Sequence, residues 1–193
     1  MKIEPATERG RQAMAQWRSR VLASQAVSSG LELPANANYG KRGMDMTWIT
    51  ARLALGGGIW NPENMAAVAR AGITHVIDMQ IEFDDTPLAK PHGIEVLWNP
   101  TDDDFQLKPP DLFQRGVEFA EHALEDDDAR VFVHCAAGVH RAAMMTLAIL
   151  CADGWDMHEA MRTIVSRRPV VDFAEVYVES VERFLQAHVE TSE

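Results

Sequence analysis

Apolar and polar positions follow recognisable periods over most of the chain, after a looser opening. Met14, Trp17 and Val21 recur at helical spacing in a basic first segment, so a short amphipathic helix is expected there. The stretch SSGLELPANANYGKRG that follows reads as an irregular extension. Residues 1–43 therefore stand apart from residues 44–193, where short apolar runs alternate with helical stripes. Trp48 to Leu55 reads as a strand ahead of the turn Gly56-Gly57-Gly58, and Asn61-Pro62 caps and opens a helix that Gly72 closes. Ile73 to Met79 and Ile94 to Trp98 read as buried strands, and a loop from Asn99 to Pro110 leaves the second. Leu112, Phe113, Phe119, Ala120, Ala123 and Leu124 form the next helical stripe, ended by an acidic turn at 125–128. Arg130 to His134 is a further strand, and Arg141 to Ala152 a buried helix stopped by Gly154. Asp156 with Glu159, and Asp172 with Glu175, have capping-box spacing for two more helices. This alternation predicts an α/β fold.

Composition narrows the function. The 193 residues are 47% apolar and 24% charged, the balance of a soluble globular domain. No run of about 18 apolar residues predicts a membrane span, and the start lacks the apolar core of a secretion signal. An Arg-rich transit segment is disfavoured by Glu4 and Glu8. A net charge of −11 repels phosphate backbones, so no nucleic-acid partner is expected. Two cysteines, Cys135 and Cys151, make neither a disulfide framework nor a zinc set, and His75, His92, His122, His158 and His188 share no metal spacing. No metal and no cofactor are expected, and the localisation expected is cytoplasmic.

The chemistry concentrates in VFVHCAAGVHRAAMM, residues 131–145. An apolar strand runs into His134-Cys135, five residues follow, and Arg141 opens a helix. That length suits a loop curled around a tetrahedral anion, with the backbone N–H groups of Ala136, Ala137, Gly138, Val139, His140 and Arg141 turned inward as a nest. The helix N-terminus adds about half a positive charge. Gly138 tolerates a backbone conformation that a Cβ penalises, and Arg141 offers a planar fork to phosphate oxygens. Thiols in such surroundings fall from about 8.5 to about 3.5–7.5, which makes Cys135 a candidate nucleophile. His134 is expected to orient the loop from behind, through hydrogen bonds to backbone. A buried cysteine at a strand end is common, but His-Cys-x-x-Gly-x-x-Arg arises by chance in about one chain of this length in several thousand.

On these residues the chain resembles the cysteine-dependent protein phosphatases, whose signature is His-Cys-x5-Arg, and within them the dual-specificity branch in an atypical form. The resemblance runs over roughly residues 44–188 and includes Gly72, Ile73, Thr74, Val76 and Ile77, then a strand, an acidic loop, a helix and the cysteine loop. It implies a protein tyrosine phosphatase-like fold: a central mixed, mostly parallel sheet flanked by helices. It also implies hydrolysis of phosphomonoesters in two steps through a cysteinyl-phosphate, on phosphotyrosine and on phosphoserine or phosphothreonine in proteins. The family's general acid lies about thirty residues upstream. In Thr101-Asp102-Asp103-Asp104-Phe105 the matching position is Asp103, 32 residues before Cys135, with Asp102 the near alternative. Many relatives carry Ser or Thr directly after the arginine. Ala142 stands there in this chain, which implies slow hydrolysis of the intermediate.

Ala136, Ala137, Val139 and His140 add little positive charge, whereas lipid-directed relatives often carry lysines, so a phosphoinositide is the less favoured substrate. A protein substrate with basic surroundings is expected instead. His140 touches substrate or faces solvent, Arg167-Arg168 reads as a surface pair, and Cys151 as a packing residue. Two other classes compete: a phosphate-binding pseudophosphatase or docking module, and another cysteine-loop enzyme such as a sulfurtransferase or arsenate reductase. The acidic loop, Gly138 and the long following helices weigh against the latter.

Overall fold

A computed structural model of the protein describes residues 44–191. The helix and extension expected within residues 1–43 lie outside the described residues. In chain order the elements are β1 (Met46–Trp48), β2 (Leu53–Gly56), α1 (Pro62–Arg70), β3 (His75–Asp78), α2 (Thr86–Ala89), β4 (Glu95–Trp98), α3 (Pro110–Leu124), β5 (Val131–His134), α4 (Arg141–Ala152), α5 (Met157–Arg167) and α6 (Glu175–Thr191). A 3₁₀ turn at Lys90–His92 leads from α2 towards β4.

The strands form one sheet in the order β1-β2-β5-β3-β4. β2, β5, β3 and β4 run parallel, and β1 is antiparallel at the edge. This is the mixed, mostly parallel sheet flanked by helices that the family resemblance implied. β5 lies at the centre, bonded on both sides, and its four residues are all buried. Strands covered on both faces read as continuous apolar runs, and Val131, Phe132 and Val133 are that run. Each such side chain is worth about 1.5–3 kcal/mol buried rather than exposed.

Successive residues of a strand point to opposite faces. Ala54, Val76 and Phe132 therefore share one face, where they pack with Ile59, Met65 and Val68 of the α1 region. On the other face α3 packs against α4 and α6, with the Phe113 and Phe184 rings 5.7 Å apart. From Arg141 to Leu150 every residue of α4 is buried, as expected for a helix enclosed by α3, α5, α6 and β5. Among the described residues no helix is long and apolar enough to cross a membrane.

Local signals explain the well-placed boundaries. The Asn61 side chain accepts the N–H of Asn64, and Pro62 fills the first turn of α1. Asp156 accepts the N–H of Glu159 at the start of α5. Two expectations need correction. The single strand over 48–55 is a hairpin, whose tight turn is held by Thr50 Oγ1 accepting from the N–H groups of Arg52 and Leu53. Asp172 caps no helix: α6 begins three residues later, and the Asp172 carboxylate turns to within 3.6 Å of His140 Nε2.

Candidate active site

The loop from Cys135 to His140 joins the C-terminal end of β5 to the N-terminus of α4. Its shape follows from where its carbonyls go. Ala136 O accepts from Gly58 N at 3.1 Å, Ala137 O from Arg168 Nη2 at 3.2 Å, and Gly138 O from Arg168 Nε at 2.9 Å. Val139 O accepts from Asp172 N at 3.3 Å, and His140 O from Met144 N at 2.9 Å. Consecutive carbonyls drawn outward leave the opposite edges of the peptide planes, the N–H groups, facing the loop interior, which is the nest that binds anions. Gly138 N–H points at Cys135 Sγ, 3.3 Å away.

Gly138 sits at φ +63, and a Cβ there would lie 2.4 Å from the Gly56 carbonyl oxygen. Conformation and space both demand glycine. Cys135 itself is buried, with its N–H bonded to Gly56 O at 3.4 Å.

Arg168 is the residue that sequence reasoning misjudged. It is 1% exposed, not part of a surface pair. Besides bracing the two loop carbonyls, its guanidinium makes a two-pronged contact with Asp45 at 2.8 and 2.7 Å and donates to Thr47 Oγ1. The planar fork lets one buried charge satisfy strand β1 and the loop together.

Arg141 is also almost wholly buried. Nη1 and Nη2 each donate to one carboxylate oxygen of Glu82 at 2.9 Å, and Nη1 also reaches Thr101 O at 3.2 Å. Glu82 was not legible as a partner, being 59 residues away in the chain. The bond to Arg141 holds the Glu82 carboxyl below its usual range. Burial works against the Arg141 charge, yet the Glu82 bond and the neighbouring Cys135, Glu82 and Asp103 outweigh it and raise the guanidinium above its ordinary value. The end of the fork is thus engaged by Glu82, while Nε has no hydrogen-bond partner in the protein. Two parallel bonds to one tetrahedral anion can form along that Nε–Nη2 edge.

The three aspartates of the acidic loop separate cleanly. Asp104 pairs with Lys108, which holds its carboxyl below the usual range. Asp102 is exposed. Asp103 faces the cysteine loop: Oδ2 lies 3.0 Å from His140 Nδ1, and Oδ1 accepts from Tyr177 Oη at 2.9 Å. The structure therefore brings Asp103, and not Asp102, against the loop that carries Cys135 and Arg141.

His134 differs from expectation in its partners. The register of β3 and β5 sets Asp78 opposite His134, and the Asp85 carboxylate meets the buried ring instead of capping α2. Nε2 lies 2.8 Å from Asp85 Oδ2 and 3.7 Å from Asp78 Oδ1. The ring faces two carboxylates behind the loop, not the loop backbone. Burial, partly offset by the His134 charge, pushes Asp78 up to about 7. Asp78, Asp85 and His134 are the group among the described residues whose donor atoms gather closely enough for a metal. Two ligands at 2.0–2.1 Å on a tetrahedral zinc sit about 3.3 Å apart, so the 2.8 Å approach of Asp85 to His134 is tighter than a zinc site sets, and neither ring nitrogen makes a hydrogen bond of good geometry within the protein. Cys151 is half-buried and unpaired; burial pushes its thiol up to about 11, the behaviour of a packing residue.

This loop, arginine and acidic segment belong to a known class. Residues 60–185 match the family model of the dual specificity phosphatase, catalytic domain, and the chain belongs to that family. Among curated relatives it is 29% identical over 117 residues to protein phosphatase Slingshot homolog 3 of Mus musculus, covering 60% of this chain and 17% of that protein. It is 30% identical over 111 residues to dual specificity protein phosphatase 26 of Rattus norvegicus, covering 56% of this chain and 53% of the relative. The chain thus spans a minor part of the first relative and about half of the second. Among solved structures, PTPMT1 in complex with PI(5)P superposes with a TM-score of 0.69 at 22% identity, over 77% of this chain and 99% of that one. Human DUSP28 superposes with a TM-score of 0.61 at 21% identity, over 74% of this chain and 94% of that one. These likenesses establish the protein tyrosine phosphatase-like fold.

Proposed function

We propose that the protein is a cysteine-dependent phosphatase of phosphomonoesters, acting on phosphorylated side chains of proteins. The observation that carries this reading is the series of outward-tied carbonyls from Ala136 to Val139, with the Gly138 N–H turned to the Cys135 sulfur beside the Arg141 edge. In the first step the Cys135 thiolate attacks phosphorus, the ester P–O bond breaks, and Asp103 gives its proton to the departing oxygen. In the second, Asp103 takes a proton from water as that water attacks phosphorus, and the P–S bond breaks to return the thiolate. The loop amides and Arg141 hold the charge that develops on the phosphoryl oxygens.

The rim supports a peptide over a polyanionic headgroup. Trp60, Ile81, Phe83, Phe105 and Val170 are exposed, each close in sequence to a residue that touches the loop or Arg141. Glu82, Asp84, Asp102 and Asp172 lie among them, and residues 136–140 include no lysine or arginine. An apolar, acidic rim fits a phosphorylated residue flanked by basic and apolar side chains. The unpaired thiols fit a reducing, cytoplasmic setting.

Hydrolysis of an aryl phosphate by the parent, Cys135→Ser and Asp103→Asn proteins, with vanadate as competitor, tests the reading. An active parent, an inert Cys135→Ser and vanadate inhibition are expected. Vanadate binding without phosphate release at any pH would instead identify a phosphate-binding module.

A further inference from the structure

Both oxygens of Asp103 are occupied, and by residues from different elements. Tyr177, on α6, is 1% exposed, and its hydroxyl oxygen accepts the N–H of Phe105 at 2.9 Å. The single O–H that remains is thereby aimed at Asp103 Oδ1, which it reaches at 2.9 Å. The phenol stacks on the Phe105 ring at 5.7 Å and lies beneath the Lys108 ammonium, 5.5 Å from the ring centre. Burial, with the Asp103 bond acting in the same direction, pushes Tyr177 up to about 12, so it stays a donor wherever the enzyme works. From the other side, His140 sets Nδ1 3.0 Å from Asp103 Oδ2, with Asp172 3.6 Å from its Nε2 and the Phe105 ring edge-on at 5.1 Å. Phe105, between the two contacts, holds φ +55, a conformation rare for a residue with a side chain.

We propose that Tyr177 and His140 are positioning residues that clamp the Asp103 carboxyl through its two oxygens above the 135–141 loop. The inference rests on Asp103 being the general acid. Because Oδ1 receives the Tyr177 proton, the proton that Asp103 transfers is carried on Oδ2, the oxygen beside His140. The clamp also joins the acidic loop to the phosphate loop and to α6, so acid and nucleophile keep one mutual geometry through both steps. Proton transfer is sensitive to placement within a few tenths of an ångström of hydrogen-bond reach, and a carboxyl held at one oxygen alone is free to turn.

An acid matters most when the leaving group is strongly basic. The readout is therefore the ratio of kcat/KM for 4-nitrophenyl phosphate, with a weakly basic leaving group, to that for phenyl phosphate, with a strongly basic one. Asp103→Asn should raise this ratio about a hundredfold. Tyr177→Phe and His140→Ala should each raise it about tenfold, and His140→Asn, which restores a polar partner for Oδ2, should bring it back towards the parent value. A merely structural role would lower both substrates alike and leave the ratio unmoved. If Asp103→Asn leaves the ratio flat, the assignment of the acid fails. If Asp103→Asn raises it while Tyr177→Phe and His140→Ala, each melting cooperatively, keep the parent ratio, the clamp is overturned and the acid stands.

Discussion

Arg168 Nε donates to the carbonyl of Gly138 at 2.9 Å, across 30 residues of chain. The bond fixes which way the Gly138 peptide faces, and the same guanidinium fixes its neighbour through Ala137 O. Removing it leaves two carbonyls without their donor and opens space behind the loop. Arg168→Met should cost on the order of 2–4 kcal/mol of stability. It should also raise the KM for aryl phosphates more than it lowers kcat, since the loop amides lose their aim. Arg168→Lys should recover part of the stability but little of the KM, because an ammonium cannot reach Asp45 and both carbonyls in one plane. Denaturant melts and steady-state kinetics on the two variants check this.

Gly138→Ala should abolish phosphate binding. The methyl group would meet the Gly56 carbonyl at 2.4 Å in a conformation that already disfavours it. The loss should appear as vanadate affinity too weak to measure, with a melting temperature lowered by several degrees. Vanadate affinity unchanged in the variant would contradict the loop geometry.

Asp78 gives a pH signature. Its folded-state pKa of about 7 lies above that of an unfolded carboxyl, so its contribution is fully present below the ordinary carboxyl range and is lost as pH rises through 7. Asp78→Asn stays neutral at every pH. The melting temperature of the variant minus that of the parent should therefore climb between about pH 4 and pH 8. A difference that is constant or falls over that window would refute the assignment.

Ala142 follows Arg141 where many relatives present a hydroxyl. The parent should show a burst of aryl alcohol followed by slow turnover, with phosphoenzyme accumulating. Ala142→Ser should raise the steady rate and shrink the burst, as rapid-quench kinetics would reveal. Absence of a burst together with an unimproved Ala142→Ser would count against slow dephosphorylation.

Peptide charge is a separate test of the rim. Phosphopeptides with lysines or arginines beside the phosphorylated residue should be turned over faster than acidic ones, and the preference should weaken as salt rises. Equal rates for both sets would remove the acidic rim from specificity.

Much of this is legible in the amino-acid sequence itself. Asn61-Pro62 and Asp156 announce helix starts through bonds made within three residues, so α1 and α5 were legible. The same holds for the run from Val131 to Arg141, whose strand, loop and helix are contiguous. What escaped is what crosses the sheet. Glu82 meets Arg141 and Asp45 meets Arg168 over 59 and 123 residues, and no local pattern encodes either pairing. The β1–β2 turn was hidden because Ile49, at 1% exposure, is apolar and Ile49-Thr50-Ala51-Arg52 holds no glycine, proline or asparagine to mark it. Helix α2 is a four-residue helix, too short to show a period.

β5 lies in the middle of the sheet, and this strand, which ends just before Cys135, has a bonded neighbour on each side. The acidic segment at 101–107 is surface chain, held by a few side-chain bonds from α6 and from His140 and Arg141. Native-state amide exchange should therefore be slowest at 131–134 and among the fastest at 101–107. The proposed nucleophile is anchored in the portion of the molecule that opens last, while the proposed proton donor rides on one that opens readily. Substrate entry and product departure can then proceed by loosening one wall of the pocket, with no disturbance to the strand that carries the sulfur.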